Sequence, residues 1–178
     1  TIYRLWTRVR LSHLQPWIAE WDLDCIFAGT AGKGAADATY QTALQMEWCK
    51  LTGTDFVGAS ADIYKCFDQI VRPLLREILD QAGMPNNILD PYMRYIDTLT
   101  IHNTIAGGMG KPYQKPTGIP QGDPFPMMVV ELVMRTWVAQ MQDMGVQPRI
   151  LADDLLILVT DEREDIPSRD GWLCRPAA

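Results

Sequence analysis

The stretch Val146-Gln147-Pro148-Arg149-Ile150-Leu151-Ala152-Asp153-Asp154-Leu155-Leu156-Ile157-Leu158-Val159 decides the fold. Val146 to Leu151 and Leu155 to Val159 read as two strands, with Ala152-Asp153-Asp154 at the tip of the hairpin that joins them. On its own such an Asp-Asp pair is an ordinary turn. A second acidic cluster stands upstream, Ser60-Ala61-Asp62-Ile63-Tyr64-Lys65-Cys66-Phe67-Asp68, and Gly118-Ile119-Pro120-Gln121-Gly122-Asp123-Pro124 lies between the two. Asp55 to Ile63 alternates like a strand, so Asp62 sits at a strand end, where it also has the chemistry to cap the next helix. Asp62 and Asp153 converge only if their strands are neighbours in one sheet, and carboxylates so placed repel each other unless cations lie between them. Two Mg²⁺ ions roughly 3.5–4 Å apart are the usual answer to that arrangement in nucleotidyl transfer, one activating a hydroxyl and the other neutralising phosphate charge.

Working outward, apolar residues recur at helical spacing from Ile2 to about Trp21, and Pro16 predicts two short helices or one kinked helix. The following loop holds Gly29-Thr30-Ala31-Gly32-Lys33-Gly34, but Phe27 stands where a phosphate loop needs its first glycine, and Gly34 follows the lysine in place of Ser or Thr. A phosphate loop is therefore rejected. Ala35 to Leu51 reads as an amphipathic helix closed by Gly53, Phe67 to Gln81 as another ended by Gly83, and a third, capped by Asn86 or Asn87, runs to about Leu99. Thr100 to Ile105 and Lys111 to Thr117 flank Gly107-Gly108-Met109-Gly110 and predict a hairpin with a glycine turn. Met127 to about Met144 is a long apolar helix ended by Gly145. The segment 161–178 shows no sustained periodicity and is expected to be poorly ordered.

The chain has 178 residues, with hydrophobic content of 47%, enough for one domain or part of a larger one with a buried core. It contains no run of some 18 apolar residues, which argues against a membrane partner. Thr1-Ile2-Tyr3-Arg4 is neither an initiator start nor a signal peptide, so a soluble segment of something longer is expected. The formal net charge of −6 opposes nucleic-acid binding, because phosphate backbones are held by Lys and Arg. Part of that charge, however, lies in Asp161-Glu162-Arg163-Glu164-Asp165 and part in the proposed metal ligands, whose charge divalent ions would offset. Cys25, Cys49, Cys66 and Cys174 show no zinc spacing or disulfide framework and are read as reduced, mostly buried thiols. His13 and His102 have no triad or metal partner and are read as structural.

The order Asp62-x-x-x-x-Phe67-Asp68, then Gly118-Ile119-Pro120-Gln121-Gly122, then Ala152-Asp153-Asp154 resembles the palm of reverse transcriptases of the non-LTR retrotransposon and group II intron kind. Phe27-Ala28-Gly29 with Ala36-Asp37-Ala38 is similar to that family's fingers segment. The resemblance covers about Thr1 to Thr160. It implies an α+β fold, with an antiparallel palm sheet carrying helices on one face and a partial, mostly helical fingers region; no thumb is recognisable. The domains would be fingers over 1–54, palm over 55–160 and an atypical tail over 161–178.

The resemblance further implies an RNA-directed DNA polymerase that joins a dNTP to a primer 3′-hydroxyl on an RNA template, the primer being DNA or RNA. Asp62, Asp153 and Asp154 would be the catalytic carboxylates. They would hold two Mg²⁺ ions, or Mn²⁺, with the carbonyl of Ile63. Backbone amides of Tyr64, Lys65, Cys66 and Phe67 would contact the triphosphate. Phe67 would sit beneath the ribose and exclude a 2′-hydroxyl, and Gln121 and Gly122 would lie beside the incoming nucleotide and template base. It implies an intracellular location, nuclear in a eukaryotic retroelement, while the residues themselves carry no address.

Plainer readings stand beside these: Lys65 as a solvated lysine, Phe67 as a core aromatic opening a helix, and Pro120-Gln121-Gly122 as a turn. Leu151 departs from the family's aromatic, and Asp123 from its small residue. Two other functions share the same residues: a non-catalytic remnant that keeps the fold and binds nucleic acid or protein, and an RNA-dependent RNA polymerase palm, against which Phe67 speaks.

Overall fold

A computed structural model describes residues 2–30 and 32–160; the tail expected to be poorly ordered lies outside the described residues. The element order is α1 (Ile2–Trp21), α2 (Ala35–Thr52), β1 (Phe56–Asp62), α3 (Cys66–Gln69), α4 (Arg72–Gln81), α5 (Asn86–Thr98), β2 (Thr104–Ile105), β3 (Gly108–Met109), α6 (Phe125–Asp143), β4 (Gln147–Leu151) and β5 (Asp154–Thr160). The fold is mixed α+β with small antiparallel sheets. None of the described helices is long and apolar enough to cross a membrane. The described residues divide into two compact units: one takes Ile2 to His13 with Lys65–Pro126, the other Leu14–Tyr64 with Met127 to Thr160.

In the first unit, α4 and α5 bury Leu75 and Leu79 with Ile88, Leu89, Tyr92, Met93 and Ile96. The leucine and isoleucine spacing at three and four residues supplies this stripe. Aromatic rings extend the core: Tyr92 meets Phe125 edge-on at 5.3 Å, Trp6 meets Phe125 at 5.7 Å, and Tyr3 stacks on Tyr95. The helix expected over Phe67 to Gln81 is broken into α3 and α4, because Pro73 has no N–H to offer the carbonyl of Gln69 and its ring would strike that carbonyl. The next helix starts at Asn86, but its N-cap is Pro85 and no side chain caps it, contrary to the expected asparagine cap. The glycine hairpin forms with strands of only two residues each, turning at Ala106-Gly107, both at positive φ, which is the pattern of a type I′ turn. Ile101 and Tyr113 then make an isolated bridge below it.

In the second unit the strand order is β1-β5-β4. Cys25–Phe27 lies along the outer edge of β4, with Phe27 N–H donating to Ile150 O at 2.8 Å and Ile150 N–H to Cys25 O at 2.8 Å. Ile26, Phe27, Ile150 and Leu158 are buried there with Met128, Val129 and Val130 of α6. α1 passes through Pro16 as one helix, its later turns burying Leu14, Trp17, Ile18 and Trp21. β1 forms as expected, yet all its seven residues are exposed and it buries neither face. Gly58, Ala59, Ser60 and Ala61 offer little apolar area to cover, so the ladder to β5 holds it. Cys49 and Cys66 are free and buried as expected, whereas Cys25 is disulfide-bonded.

Candidate functional site

The hairpin and β1 bring two carboxylates face to face. Asp62 is the direct register partner of Asp154, and Leu151 pairs with Asp154 across the hairpin. The N–H of Ile63 donates to Asp153 O at 3.2 Å. That bond makes Asp62 and Asp154 a non-hydrogen-bonded pair, the closer of the two antiparallel pair types, with Cβ atoms ~4.5–5.5 Å apart on one face of the sheet. Both residues are exposed. Like charges directly opposite destabilise a sheet, and among the described residues neither carboxylate has an ion-pair partner. The sequence pairs Asp62 with Asp153; the structure puts Asp154 opposite and Asp153 at the corner, bonded through its backbone.

The corner is itself tight. Ala152 and Asp153 form a two-residue loop in which only Ala152 has positive φ, +59°, the pattern of a type II′ turn, whose first position favours glycine. Ala152 is buried and therefore held in that conformation.

The donor chemistry of Asp62, Asp153, Asp154 and the Ile63 carbonyl fits Mg²⁺ in kind, since hard anionic and carbonyl oxygens are what that ion takes. The described conformation gathers the carboxylates as a pair: among the described residues no group of three or more His, Cys, Asp or Glu is placed to hold a metal ion.

The remaining predicted residues divide between the two units. Ile63 and the exposed Tyr64 end the strand side in the second unit. In the first unit, Lys65 is an αL residue at φ +50° that starts the four-residue α3, Cys66 is buried and Phe67 is half-buried, so Phe67 is not a full core aromatic. Gln121 and Gly122 are exposed in the loop before α6.

That loop is stapled to α3 and its flanks. Gly118 N–H donates to Ile70 O at 2.7 Å, Ile119 N–H to Phe67 O at 2.8 Å, and Thr117 Oγ1 to Asp68 O at 3.0 Å. Gly118 sits at φ +85°, and a Cβ there would lie 2.9 Å from Phe67 O and from the Asp68 backbone, so only glycine permits the approach. The buried Arg72 clamps the same turn, its Nε donating to Gly118 O at 2.8 Å and its Nη2 to Thr117 O at 3.4 Å.

Several further polar groups carry the electrostatics. Asp123 Oδ1 accepts from Phe125 N–H at 3.1 Å, capping α6 two residues earlier than the predicted start. Burial pushes the Asp123 carboxyl up, against the Phe125 amide and the Arg4 guanidinium. Among the described residues the buried hydroxyls of Tyr3 and Tyr92 have no hydrogen-bond partner, and burial, then Asp123, raises both phenols far above their usual range. The Arg4 guanidinium lies over Gly122, with Nη2 3.0 Å from where a Cβ would stand.

In the second unit Glu131 is fully buried, with the loop at Gly29 so close that a Cβ there would clash with Glu131 Oε2. Burial pushes its carboxyl up to about 8; the backbone amides of Thr30 and Ala28 offset part of this without reaching sound hydrogen-bond geometry. Lys33 does not reach outward for phosphate: its ammonium donates to Asp22 Oδ2 at 2.6 Å and to Leu23 O at 2.8 Å. Arg149 on β4 is buried and donates through Nη2 to Gln45 Oε1 at 2.6 Å, while its Nη1 has no partner among the described residues, and burial lowers it to about 10. His13 and His102 bond neighbouring backbone carbonyls at the surface. The sequence signal for Glu131 and Arg149 was only a charge inside an apolar run.

A scan against protein-family models finds no match for this chain, and a search of curated proteins finds none.

Proposed function

We propose that the chain is the palm and part of the fingers of a reverse-transcriptase-like polymerase, an RNA-directed DNA polymerase that extends a primer on an RNA template. The observation that carries the reading is the register that sets Asp62 opposite Asp154 at the end of a β1-β5-β4 sheet, with Asp153 bonded at the corner. Carboxylates at strand ends, drawn from separate segments, are the arrangement that two-metal nucleotidyl transfer uses.

In this reading Asp62, Asp153 and Asp154 supply carboxylate oxygens, and Ile63 a carbonyl. Bound Mg²⁺ supplies activation of the 3′-hydroxyl and neutralisation of triphosphate charge. The primer 3′-oxygen bonds to the α-phosphorus as the bond to the bridging oxygen breaks and pyrophosphate leaves. Phe67 blocks a 2′-hydroxyl, Gln121 offers donor and acceptor to a base, and Gly122 lets a nucleotide approach the backbone. Primer extension with an RNA template, Mg²⁺ and dNTPs tests it: the protein extends and the Asp153→Asn variant does not. Equal extension by that variant would reject the assigned chemistry.

A second reading, a non-catalytic remnant, is favoured by one feature: Arg4 covers Gly122, where the nucleotide is proposed to approach. If Arg4→Ala extends primers, Arg4 is a movable cover on a polymerase. If neither protein does, the remnant reading stands.

A further inference from the structure

The second unit contains a cavity of ≈ 360 Å³ between α2 and the β4–β5 hairpin, lined among others by Ala43 and Met46 of α2, by Leu151 and Leu156, and by Arg149. We propose that it binds a small amphipathic monocarboxylate, with the carboxylate on the Arg149 guanidinium and the hydrocarbon against the leucines and α2.

The charge of Arg149 is unanswered. The residue is 6% exposed, and among the described residues no carboxylate lies within ion-pair distance of it. Its Nη2 donates to Gln45 Oε1, a neutral acceptor, and its Nη1 has no partner among those residues. Buried charges are ordinarily paired, because water no longer stabilises them, and a guanidinium presents its donors in a planar fork that matches a carboxylate. An anion that reaches this edge therefore gains a charge-assisted contact with a group that is already desolvated.

The wall around it is apolar and incompletely covered. Leu151 and Leu156 are only half-buried and Met46 is 37% exposed. Hydrocarbon set against such a concavity removes apolar surface from water on both partners. The volume lies within the roughly 300–1,000 Å³ range of small-molecule sites, which pair apolar walls with a few placed polar groups.

The rest of the lining selects the head group. Its other polar side chains include Thr39, Thr42 and the exposed Asp154. Thr42 Oγ1 already donates to Ala38 O at 2.7 Å, and Asp154 repels anions. One cation with so few donors beside it suits a single negative charge on two oxygens, and not a phosphate with its larger charge and third oxygen. In the ladder Arg149 stands opposite Leu156 and Leu151 opposite Asp154, so the cation is set back from the aspartate along the hairpin.

Calorimetric titration in EDTA, which keeps metal ions from bridging a probe to the aspartates, tests the site. The probes are octanoate below its micelle-forming concentration, octanol and acetate. Octanoate is expected to bind roughly tenfold or more tightly than either of the others, the scale of a hydrogen bond to a charged group. Arg149→Met, which replaces the buried charge with an apolar chain, is expected to reduce octanoate to the affinity of octanol. Ala43→Phe, at an exposed helix position on the cavity wall, leaves the guanidinium in place and is expected to weaken octanoate severalfold with the unfolding temperature unchanged. Octanol or acetate binding as tightly as octanoate, an unchanged octanoate affinity in either variant, or no octanoate binding at all would overturn the proposal. None of these outcomes depends on primer extension.

Discussion

Asp62 and Asp154 face one another as a non-hydrogen-bonded pair between β1 and β5, two acidic side chains on the same face of a sheet edge that buries nothing. The ladder continues regularly to Phe56 and Thr160, so the backbone accepts the juxtaposition in full register. A fold that spends stability on such a contact is readable as one that keeps it for a cation.

The repulsion has a measurable cost. Without divalent ions, Asp154→Asn is expected to raise stability by ~0.2–1 kcal/mol, the scale of a cross-strand pair, in urea unfolding. A loss of stability would show that the aspartates are held by something other than a cation.

At the hairpin corner, Ala152→Gly relieves a positive φ that costs an L-residue roughly 1–2 kcal/mol, partly offset by the greater entropy glycine loses on folding. The expected result is unchanged or slightly raised stability, up to about 1 kcal/mol. Ala152→Val, branched at Cβ, should destabilise by more than that. Thermal unfolding of both variants checks the pair.

Glu131 gives the protein a pH signature. Its carboxyl is raised from 4.5 to about 8 by burial, so the native state holds a proton that the unfolded chain has released. Stability from this group is fully present below about pH 4.5 and is lost as pH rises through about 8, because the native state binds the extra proton only in that window. The loss should be on the order of a few kcal/mol. Glu131→Gln should remove this slope from denaturant unfolding measured between pH 5 and 9; an unchanged slope would show that Glu131 is ionised in the fold.

Arg149 and Gln45 tie β4 to α2 through a buried hydrogen bond. Gln45→Leu strips the charge of its partner and should cost ~1–3 kcal/mol. The double variant Gln45→Leu with Arg149→Met removes charge and partner together and should recover most of that loss. A double variant as unstable as the single one would contradict this account of the contact.

What the sequence showed clearly was local. The apolar run of α6, the span of α2 to Gly53 and the β4–β5 hairpin with its acidic tip were legible because periodicity and turn residues agree within each segment. The break between α3 and α4 was also written, in Pro73, but the leucine spacing across it spoke louder. Several glycines between 107 and 110 offered competing turns, and only the backbone at Ala106-Gly107 decides among them. The alternation of β1 suggested a buried face that the structure does not provide, since periodicity reports a pattern and not a cover. Arg72 on Gly118 and Glu131 beneath Gly29 join residues far apart in the chain, and no local pattern announces such contacts. At the strand ends the acidic residues stood out in the sequence and their pairing did not: a one-residue difference at the corner exchanges Asp153 for Asp154 as the partner of Asp62.

Thermal unfolding against Mg²⁺ concentration, in the protein and in its Asp62→Asn variant, bears most directly on the carboxylate pair. Cation binding to the native state predicts an unfolding temperature that climbs with Mg²⁺ in the protein and stays flat in the variant. Equal curves for the two would contradict the metal site and the chemistry proposed from it.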